Sequence, residues 1–357
     1  NAAAQVTSSA FTYDKTAPTV SSFTMSDTAL DADDTATVTI VFSHAVSGFA
    51  SDDDVTVVNG ALPSMTSSDD ITWTGTYTPT ADVEDSTNVL TLGTNWTDTA
   101  GNAYAGVATP TANFTIDTST PSIGAIGTGA FSWGTHLNAT EDNNNGTVTV
   151  TTTGVEDGQT VTITLNGSTY TNTVSSNATT VTITAAGLQG LTEGSVTMTA
   201  DVSDAAGNAA AQVTSSAFTY DKTAPSISAI ATSALSWGAV LNATEDNSNG
   251  TVTVTTVGVE DGQTVTITLN GATYTNTVSS NATTVTITAA ALQALTDGQS
   301  YTLTADVSDA AGNAAAQVTS SSFAVDTTLP TISAIATGAF SWGTHLNATE
   351  DNSNGTV

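Results

Sequence analysis

A short segment that contains proline recurs four times and divides this chain into nearly equal lengths. The copies lie at residues 14–18, 117–121, 221–225 and 326–330, and their prolines are 103, 104 and 105 residues apart. Proline fixes its own φ and pushes the preceding residue toward extended geometry, so each copy is predicted to be a short, stiff connector that carries one carboxylate. The spacing therefore predicts a tandem array with joints at these four segments.

Three whole domains fit between the connectors, and each is long enough to bury its own core. They comprise residues 19–121, 122–225 and 226–330. Residues 1–18 repeat 208–225 almost letter for letter, and they are predicted to be the C-terminal strand and linker of a preceding repeat. Residues 331–357 repeat 226–252 and are predicted to supply the first two strands of a further repeat. We expect the parent chain to continue, the alternative being that strands of neighbouring copies complete these repeats.

Hydrophobic alternation with a period of two predicts β-strands throughout. Residues 160–165 read Thr-Val-Thr-Ile-Thr-Leu, which places aliphatic side chains on one face and threonines on the other. Asn166 and Gly167 favour a type I′ turn, so residues 161–165 are predicted to form a hairpin with residues 168–174. About seven such strands fit each domain of about 100 residues, and no helix is predicted. The fold class is therefore all-β, a tandem array of immunoglobulin-like antiparallel β-sandwich domains.

Residues 19–121 share the length of the other domains but differ from them in sequence, and they represent a second repeat type. Strands are predicted there at residues 19–25, 37–42, 54–58, 71–78, 88–94 and 112–117. In residues 122–225 they are predicted at 122–130, 146–152, 179–185, 195–202 and 210–220, besides the hairpin.

The chain is strongly acidic, with 33 Asp and Glu residues, two lysines, no arginine and a formal net charge of −31. The groups that grip phosphates are missing, so nucleic acid and anionic membranes are excluded as partners. Water, salt or bound cations must meet the repulsion between carboxylates. Cysteine is absent, so no disulfide stabilises the domains. The sequence contains no apolar run of about 20 residues, so this segment is not predicted to insert directly into a membrane.

Carboxylates are predicted to gather at the joints. In a seven-strand sandwich of this topology, the second-to-third and sixth-to-seventh loops share the end at which the chain enters. The candidate metal ligands in these loops and in the connectors are Asp14, Asp98, Asn102, Asp117, Glu156, Asp157, Asp204, Asn208, Asp221, Glu260, Asp261, Asp309, Asn313 and Asp326. Further acidic residues on the preceding domain are predicted to reach the same joints, namely Asp31, Asp33, Asp34, Asp82, Glu84, Asp85, Glu141, Asp142 and Glu193.

Hard oxygen ligands in a flexible site suit calcium. Magnesium demands strict octahedral geometry, and softer metals require His or Cys. For any single carboxylate, a solvated acidic turn remains the alternative. Residues 141–146 partly match an EF-hand loop, but they begin with Glu and have Thr152 in place of the bidentate Glu, so an EF-hand is rejected.

The aromatic and histidine residues give no catalytic pattern. Trp133, Trp237 and Trp342 follow the first strand of each copy and are predicted to pack in the core rather than to bind sugars. His136 and His345 are predicted to be surface residues, because the middle copy has Val240 at their position. The third histidine, His44, has no catalytic partner in the sequence. No Ser/His/Asp set or pair of carboxylates suggests an enzyme.

Several motifs resemble the immunoglobulin-like repeats of giant bacterial surface adhesins. They are Gly258-Val-Glu-Asp-Gly-Gln, Asp306-Val-Ser-Asp-Ala-Ala-Gly-Asn and Asp326-Thr-Thr-Leu-Pro. The resemblance covers residues 122–330, and residues 19–121 are similar to another such repeat. It implies secreted, extended proteins of attachment and biofilms, which are often stiffened by calcium between domains.

These observations predict a non-enzymatic, extracellular spacer at the cell surface that holds a terminal binding domain away from the cell, with each module adding roughly 40 Å. Calcium ions are the expected cofactor and partner. The alternative is a structural subunit of an extracellular filament, sheath or surface layer, in which copies of the chain contact one another. Surface glycans remain a further candidate partner.

Overall fold

The computed structural model describes residues 2–357, and the chain divides into two compact units, residues 1–221 and 222–357. Each unit is built almost entirely of short β-strands. No helix in the described part of the chain is long and apolar enough to cross a membrane.

The first sandwich lies in residues 20–117. Its strands are β1 Val20–Met25, β2 Ala29–Leu30, β3 Ala36–Phe42, β4 Val46–Ser47, β5 Val55–Thr56, β6 Gly60–Ala61, β7 Thr72–Pro79, β8 Glu84–Asn88, β9 Thr91–Leu92, β10 Thr97–Asp98, β11 Thr109–Pro110 and β12 Phe114–Asp117. One sheet has the order β1-β3-β7-β6, and the strands opposite it pair as β2-β12-β8, β5-β9-β11 and β4-β10. Phe42, Tyr77, Trp96 and Phe114 are buried between these layers and form the centre of the core.

The second sandwich lies in residues 122–220. Its strands are β13 Ser122–Ile123, β14 His136–Leu137, β15 Gly146–Thr153, β16 Thr160–Leu165, β17 Ser168–Thr173, β18 Ala178–Ile183, β19 Gly194–Val196, β20 Thr199–Asp201, β21 Val213–Thr214 and β22 Phe218–Tyr220. They pair as β13-β15-β18, β17-β16-β20-β21 and β14-β22-β19. The aliphatic faces of β15, β16 and β18 turn inward and form a separate core.

The third sandwich lies in the second unit and repeats the second one strand for strand. Its strands are β23 Ser226–Ile227, β24 Val240–Asn242, β25 Gly250–Val257, β26 Thr264–Leu269, β27 Ala272–Thr277, β28 Ala282–Ile287, β29 Ser300–Tyr301, β30 Leu303–Asp306, β31 Val318–Thr319 and β32 Phe323–Asp326. The three sheets have the corresponding orders, and a third core lies between them. The all-β fold of tandem immunoglobulin-like sandwiches is confirmed, whereas the predicted boundaries between domains stay predictions.

The hairpin predicted from Asn166 and Gly167 is present. Strands β16 and β17 pair from Thr160 with Thr173 to Leu165 with Ser168. Asn166 has a φ of 48° and Gly167 a φ of 77°. Both values lie in the left-handed region that a type I′ turn requires, which is why this pair of residues fixes the register.

The structure contains short helices where only strands were expected. Among the described residues these are α1 Ser51–Asp54, α2 Ala185–Gln189 and α3 Ala289–Gln293, with 3-10 turns at Thr128–Ala130, Glu141–Asn143, Thr232–Ala234, Glu245–Asn247 and Thr337–Ala339. A helix of four or five residues is too short to show a repeating apolar pattern. Thr184 is the N-cap of α2, and its hydroxyl accepts a hydrogen bond from the Gly187 N–H at 3.2 Å. The strand that precedes the helix ends before this cap.

The pairing and the bounds of several strands differ in detail from the expectation. The sandwiches also contain parallel pairs, β2 with β12, β14 with β22 and β24 with β32, because the chain crosses from one sheet to the other before β3, β15 and β25. The predicted strand over residues 195–202 is split into β19 and β20, which pair with different neighbours. A continuous run of apolar and polar alternation does not show where a strand changes sheets.

The strands expected at the two ends of the chain are not formed. The described residues 2–18 contain no strand, residue 1 lies outside the described residues, and residues 331–357 contain only the 3-10 turn Thr337–Ala339. A strand needs a hydrogen-bonded neighbour, and the sequence as given holds no partner strands for these segments.

Trp133 and Trp237 pack in the cores of their sandwiches as predicted. Trp133 is 7% exposed and stacks on Phe131 with ring centroids 5.4 Å apart, while Trp237 is 4% exposed. Trp342, in the last copy, is half-buried and stacks on Phe340.

Candidate functional site

The sequence Asp-x-Ala-Gly-Asn forms the same loop in all three sandwiches. In the second sandwich, Asp204 Oδ1 accepts hydrogen bonds from the N–H groups of Gly207 at 2.9 Å and Asn208 at 2.8 Å, and Oδ2 accepts one from Asn208 Nδ2 at 2.9 Å. Gly207 has a φ of 115°, in a region that other residues rarely adopt. Asp204 and Asn208 are each 4% exposed, so this loop is part of the protein interior.

The loop holds the connector that enters its sandwich. Asn208 Nδ2 also donates to the backbone carbonyl of Asp117 at 2.9 Å. Asn208 Oδ1 accepts a hydrogen bond from the Ala32 N–H of the first sandwich at 2.9 Å. A single amide side chain therefore contacts the connector and both neighbouring sandwiches.

The connector is also fastened to the sandwich that precedes it. Thr118 is 3% exposed, and its hydroxyl donates to the carbonyl of Thr80 at 2.7 Å and accepts from the Val83 N–H at 3.0 Å. The Thr118 N–H donates to the Val83 carbonyl at 2.8 Å. These bonds fix the backbone of the connector on one side while Asn208 holds it on the other.

The connector at residues 117–121 forms the joint between the first and second sandwiches, which we call the first joint. Four carboxylates line a cavity of about 210 Å³ at this joint. They belong to Glu84 of the first sandwich, Asp117 of the connector, and Glu156 and Asp204 of the second sandwich. Glu156 Oε2 accepts a hydrogen bond from the Ala205 N–H at 2.8 Å, which ties the two loops of the second sandwich together. The predicted convergence of these loops at the entering end is therefore present at the first joint.

The electrostatics of this cavity are unfavourable for its own side chains. Burial raises the pKa of the Asp117 carboxyl above its ordinary value of 3.8, and the Ser119 N–H partly offsets this. The charges of Asp204, Glu84 and Glu156 raise the pKa of Asp117 further. The two lysines of the chain are Lys15 and Lys222, so no Lys or Arg occurs in residues 16–221 to balance these charges.

Asp157 forms a hydrogen bond within its own sandwich. Its Oδ1 accepts a hydrogen bond from the Ser176 N–H at 2.7 Å, where Ser176 has a φ of 54°. Asp261 makes the same bond to Ser280 at 2.7 Å in the third sandwich. Each carboxylate stabilises a turn with a positive φ in its own sandwich, and Asp157 does not line the cavity described above.

The predicted residues of the connector at residues 14–18 show part of the same arrangement. Asp98 is 2% exposed and accepts hydrogen bonds from the Ala100 and Asn102 N–H groups and from Asn102 Nδ2. The side-chain bond from Asn102 is the main cause that lowers the pKa of Asp98. Asn102 Nδ2 also approaches the carbonyl of Asp14 at 3.4 Å, and Asp14 Oδ1 accepts from the Thr16 N–H at 2.8 Å.

The predicted residues of the third sandwich form the same loop within their own unit. Asn313 donates to Asp309 through its N–H at 2.8 Å and its Nδ2 at 2.9 Å, and Glu260 Oε2 accepts from the Ala310 N–H at 2.8 Å. The candidates Asp221 and Asp326 lie at the ends of their units' final strands. The Asp221 N–H donates to the Leu137 carbonyl at 3.0 Å, and Asp326 Oδ1 accepts from the Thr328 N–H at 3.3 Å.

Asp142 is buried within the second sandwich. It is 5% exposed, and its Oδ2 accepts a hydrogen bond from the Tyr220 hydroxyl at 2.8 Å. Burial, this bond, and the charges of Asp142 and Glu193 raise the pKa of Tyr220 to about 12. Glu141 lies in a 3-10 turn and accepts a hydrogen bond from the Asn138 N–H at 3.1 Å.

Two joint residues were missed as connector anchors by reasoning from the sequence. One is Thr118, which holds the connector against the Thr80 and Val83 backbone. Asp297 accepts hydrogen bonds from the Thr327 N–H and the Thr328 hydroxyl, both at 2.7 Å, and the Thr328 bond is the main cause that lowers its pKa. The signal was the threonine that follows Asp117 and Asp326 in two of the four connectors.

The histidines contribute no site. Each ring Nδ1 lies within hydrogen-bonding distance of the hydroxyl of the preceding residue, at 2.8 Å for His44 and 2.9 Å for His136 and His345. His345 is exposed as predicted, and His136 is half-buried at the edge of β14.

The donors at the first joint fit a hard cation by type, although they are not assembled around one point. All of the acidic lining groups are oxygen donors, and Asp204 Oδ2 keeps one lone pair beyond its bond to Asn208. In residues 2–357, however, no group of three or more His, Cys, Asp or Glu side chains is close enough together to hold a metal ion. Binding of an ion would therefore require movement of Glu84 and Glu156, whose side chains are the longest of the four.

Comparison with known proteins gives a consistent picture. Residues 14–116 match the family described as bacterial Ig-like domain. A comparison with curated protein sequences finds no match.

Three similar solved structures come from ice-binding bacterial adhesins. One is a Ca²⁺-stabilized adhesin that helps an Antarctic bacterium reach out and bind ice, with 26% identity, coverage of 87% of this chain and 75% of that chain, and a TM-score of 0.37. Another is a 1.5-MDa bacterial ice-binding adhesin, with 24% identity, coverage of 88% and 100%, and a TM-score of 0.39. The third is a bacterial immunoglobulin-like domain of the M. primoryensis ice-binding adhesin, with 30% identity, coverage of 28% and 94%, and a TM-score of 0.21.

The assignment of fold rests on the strand pairing described above, and the family match agrees with it. Residues 14–116 match the bacterial Ig-like domain family, and the chain is a tandem array of immunoglobulin-like β-sandwiches that resembles the repeats of giant bacterial surface adhesins.

Proposed function

We propose that the chain is a non-enzymatic, extracellular spacer of a cell-surface adhesin, in which calcium at the joints holds neighbouring sandwiches together. The cavity at the first joint is the observation that carries this proposal. Four carboxylates from two sandwiches and their connector line it, and no Lys or Arg in residues 16–221 balances them. A divalent cation would turn this repulsion into attraction between the two sandwiches.

Glu84, Asp117, Glu156 and Asp204 are the residues that would hold the ion at this joint. The ion would supply positive charge and would join carboxylates of two sandwiches. Calcium is favoured over magnesium because long carboxylate side chains that must move fit a variable coordination shell better than a strict octahedron. The predicted ligand Asp157 is left out of this set because it does not line the cavity, and Asp261 is left out because it belongs to the second unit.

In this function the sandwiches supply length and the joints supply stiffness. Each of the three cores is separate, so each module stands without its neighbours' side chains in its centre. Attachment and biofilm formation are the processes in which such a spacer would act, with adhesion itself carried by another part of the parent protein.

Small-angle X-ray scattering of the full chain in millimolar calcium and in excess chelator tests the proposal. Chelation is expected to increase flexibility and to reduce the maximum dimension. The double variant Glu84→Gln/Glu156→Gln should lose part of the thermal stabilisation that calcium gives the chain, whereas Asp52→Asn/Asp53→Asn, which removes two carboxylates of helix α1, should keep all of it. Identical scattering of the wild type with and without calcium would sink the idea that the ion stiffens the chain.

A further inference from the structure

Asn208 lies where the first sandwich, the connector and the second sandwich meet. Its Oδ1 accepts a hydrogen bond from the Ala32 N–H, and its Nδ2 donates to the Asp117 carbonyl and to Asp204 Oδ2, all at 2.9 Å. The side chain is 4% exposed, so water competes weakly for these bonds. Both polar atoms of the Asn208 amide therefore form hydrogen bonds at the joint.

The position of the amide is set by its own loop. Asp204 Oδ1 accepts from the Asn208 N–H at 2.8 Å, and the Asp204 N–H donates to the Asn208 carbonyl at 3.1 Å. Gly207 allows the tight turn, and a Cβ at this position would lie 3.2 Å from Asp31 Oδ2 of the first sandwich. The loop thus approaches the first sandwich closely with its backbone and presents the Asn208 amide to it.

The connector cannot shift easily between these two contacts. The Thr118 hydroxyl holds the next residue against the Thr80 and Val83 backbone, while Asn208 holds the Asp117 carbonyl. These bonds join uncharged groups, so they do not depend on neutralisation of the carboxylates in the cavity.

We infer that Asn208 is a latch that keeps the first and second sandwiches in one relative position without any bound ion. Calcium, under the proposed function, would add to an arrangement that this amide and Thr118 already define. This role of Asn208 applies to the joint at residues 117–121. It does not depend on calcium binding, because it is measured in chelator.

The absence of cysteine from the chain allows a direct test. Thr74 in β7 and Thr180 in β18 are both exposed and belong to different sandwiches of the first unit. Spin labels on Thr74→Cys and Thr180→Cys of the full chain report the distance between these sandwiches by double electron–electron resonance. In excess chelator, we expect a single narrow distance distribution, and Asn208→Ala should broaden it.

Asn313→Ala is the matched control, because Asn313 occupies the same loop position in the third sandwich and bonds to Asp309 in the same way. It should leave the distribution unchanged. A broad wild-type distribution in chelator, or a distribution that Asn208→Ala leaves narrow, would contradict the latch.

Hydrogen exchange of the unmodified chain covers the case in which Asn208→Ala fails to fold. If the latch is closed in chelator, the Ala32 amide should exchange about tenfold or more slowly than an unprotected amide, the scale of one maintained hydrogen bond. Exchange of Ala32 at the unprotected rate would overturn the inference even with no variant available.

Discussion

At the scale of single residues, the acidic side chains of this protein fall into two groups. Asp98, Asp204 and Asp309 are nearly fully buried and accept several hydrogen bonds from their own loops. Glu84 and Glu156 are exposed at the surface of the joint, and Glu156 also accepts the hydrogen bond from the Ala205 N–H. The first group gives the joint its geometry, and the second gives it the capacity to respond to an ion.

The sequence predicted which residues lie at the first joint better than it predicted what they do. The topology of a sandwich is enough to bring Glu156, Asp204 and Asn208 to the end where Asp117 enters. Whether a carboxylate points into the cavity or caps a neighbouring turn depends on local backbone geometry. Asp157 and Glu156 are adjacent in the chain but have different hydrogen-bond partners, and no sequence pattern distinguishes their roles.

The charged carboxylate of Asp117 should lower the stability of the folded protein when no ion is bound. Its pKa is raised in the folded state, so its charged form is disfavoured there, and this cost disappears as pH falls through the raised pKa. In chelator near neutral pH, Asp117→Asn is expected to stabilise the chain by roughly 0.5 kcal/mol, the scale of one partly exposed charge interaction. Thermal unfolding measures this, and the difference from the wild type should shrink as pH is lowered toward about 4.

Asp69→Asn is the control with the opposite sign. Hydrogen bonds from the Thr72 and Ile71 N–H groups lower the pKa of Asp69, so its charged form stabilises the folded state at neutral pH. Its replacement should therefore destabilise the chain under the conditions in which Asp117→Asn stabilises it. Equal signs for the two variants would refute the assignment of unrelieved repulsion to Asp117.

At the scale of secondary structure elements, regular alternation and specific turn residues were sufficient for the long strands. The hairpin of β16 and β17 was predicted to within a residue because Asn166 and Gly167 specify its turn. The short helices, the parallel pairs and the lack of strands at the two ends of the described chain were not predicted. Their formation depends on neighbours distant in sequence, such as β22 for β14, rather than on a local pattern.

The turn of this hairpin predicts a clear difference between two glycine substitutions. Gly167→Ala should destabilise the second sandwich by about 1 kcal/mol or more, because its φ of 77° is unfavourable for a residue with a Cβ. Gly190→Ala is the matched control, since the third sandwich has Ala294 at the same position with a φ of −78°. Denaturant unfolding of both variants measures the difference, and similar effects of the two substitutions would argue against the turn as the origin of the register.

At the scale of the whole molecule, the repeat length and the fold could be predicted from the connectors and the strand pattern alone. The function could not be predicted to the same degree, because a joint lined by carboxylates serves a spacer, a filament or a surface layer equally well. The structure adds that the first joint combines fixed hydrogen bonds with unbalanced charge. This combination supports a joint whose position is set by the chain and whose strength depends on a cation.

The central claim is that calcium binds the folded joints, and thermal unfolding of the full chain over a series of free calcium concentrations at constant ionic strength tests it most directly. Binding to the folded state alone should raise the transition temperature progressively, by an amount equivalent to about 2.7 kcal/mol at a hundredfold excess over the dissociation constant. Magnesium at the same concentrations should have a clearly smaller effect. A transition temperature that does not change with calcium, or that magnesium raises equally, would contradict the account.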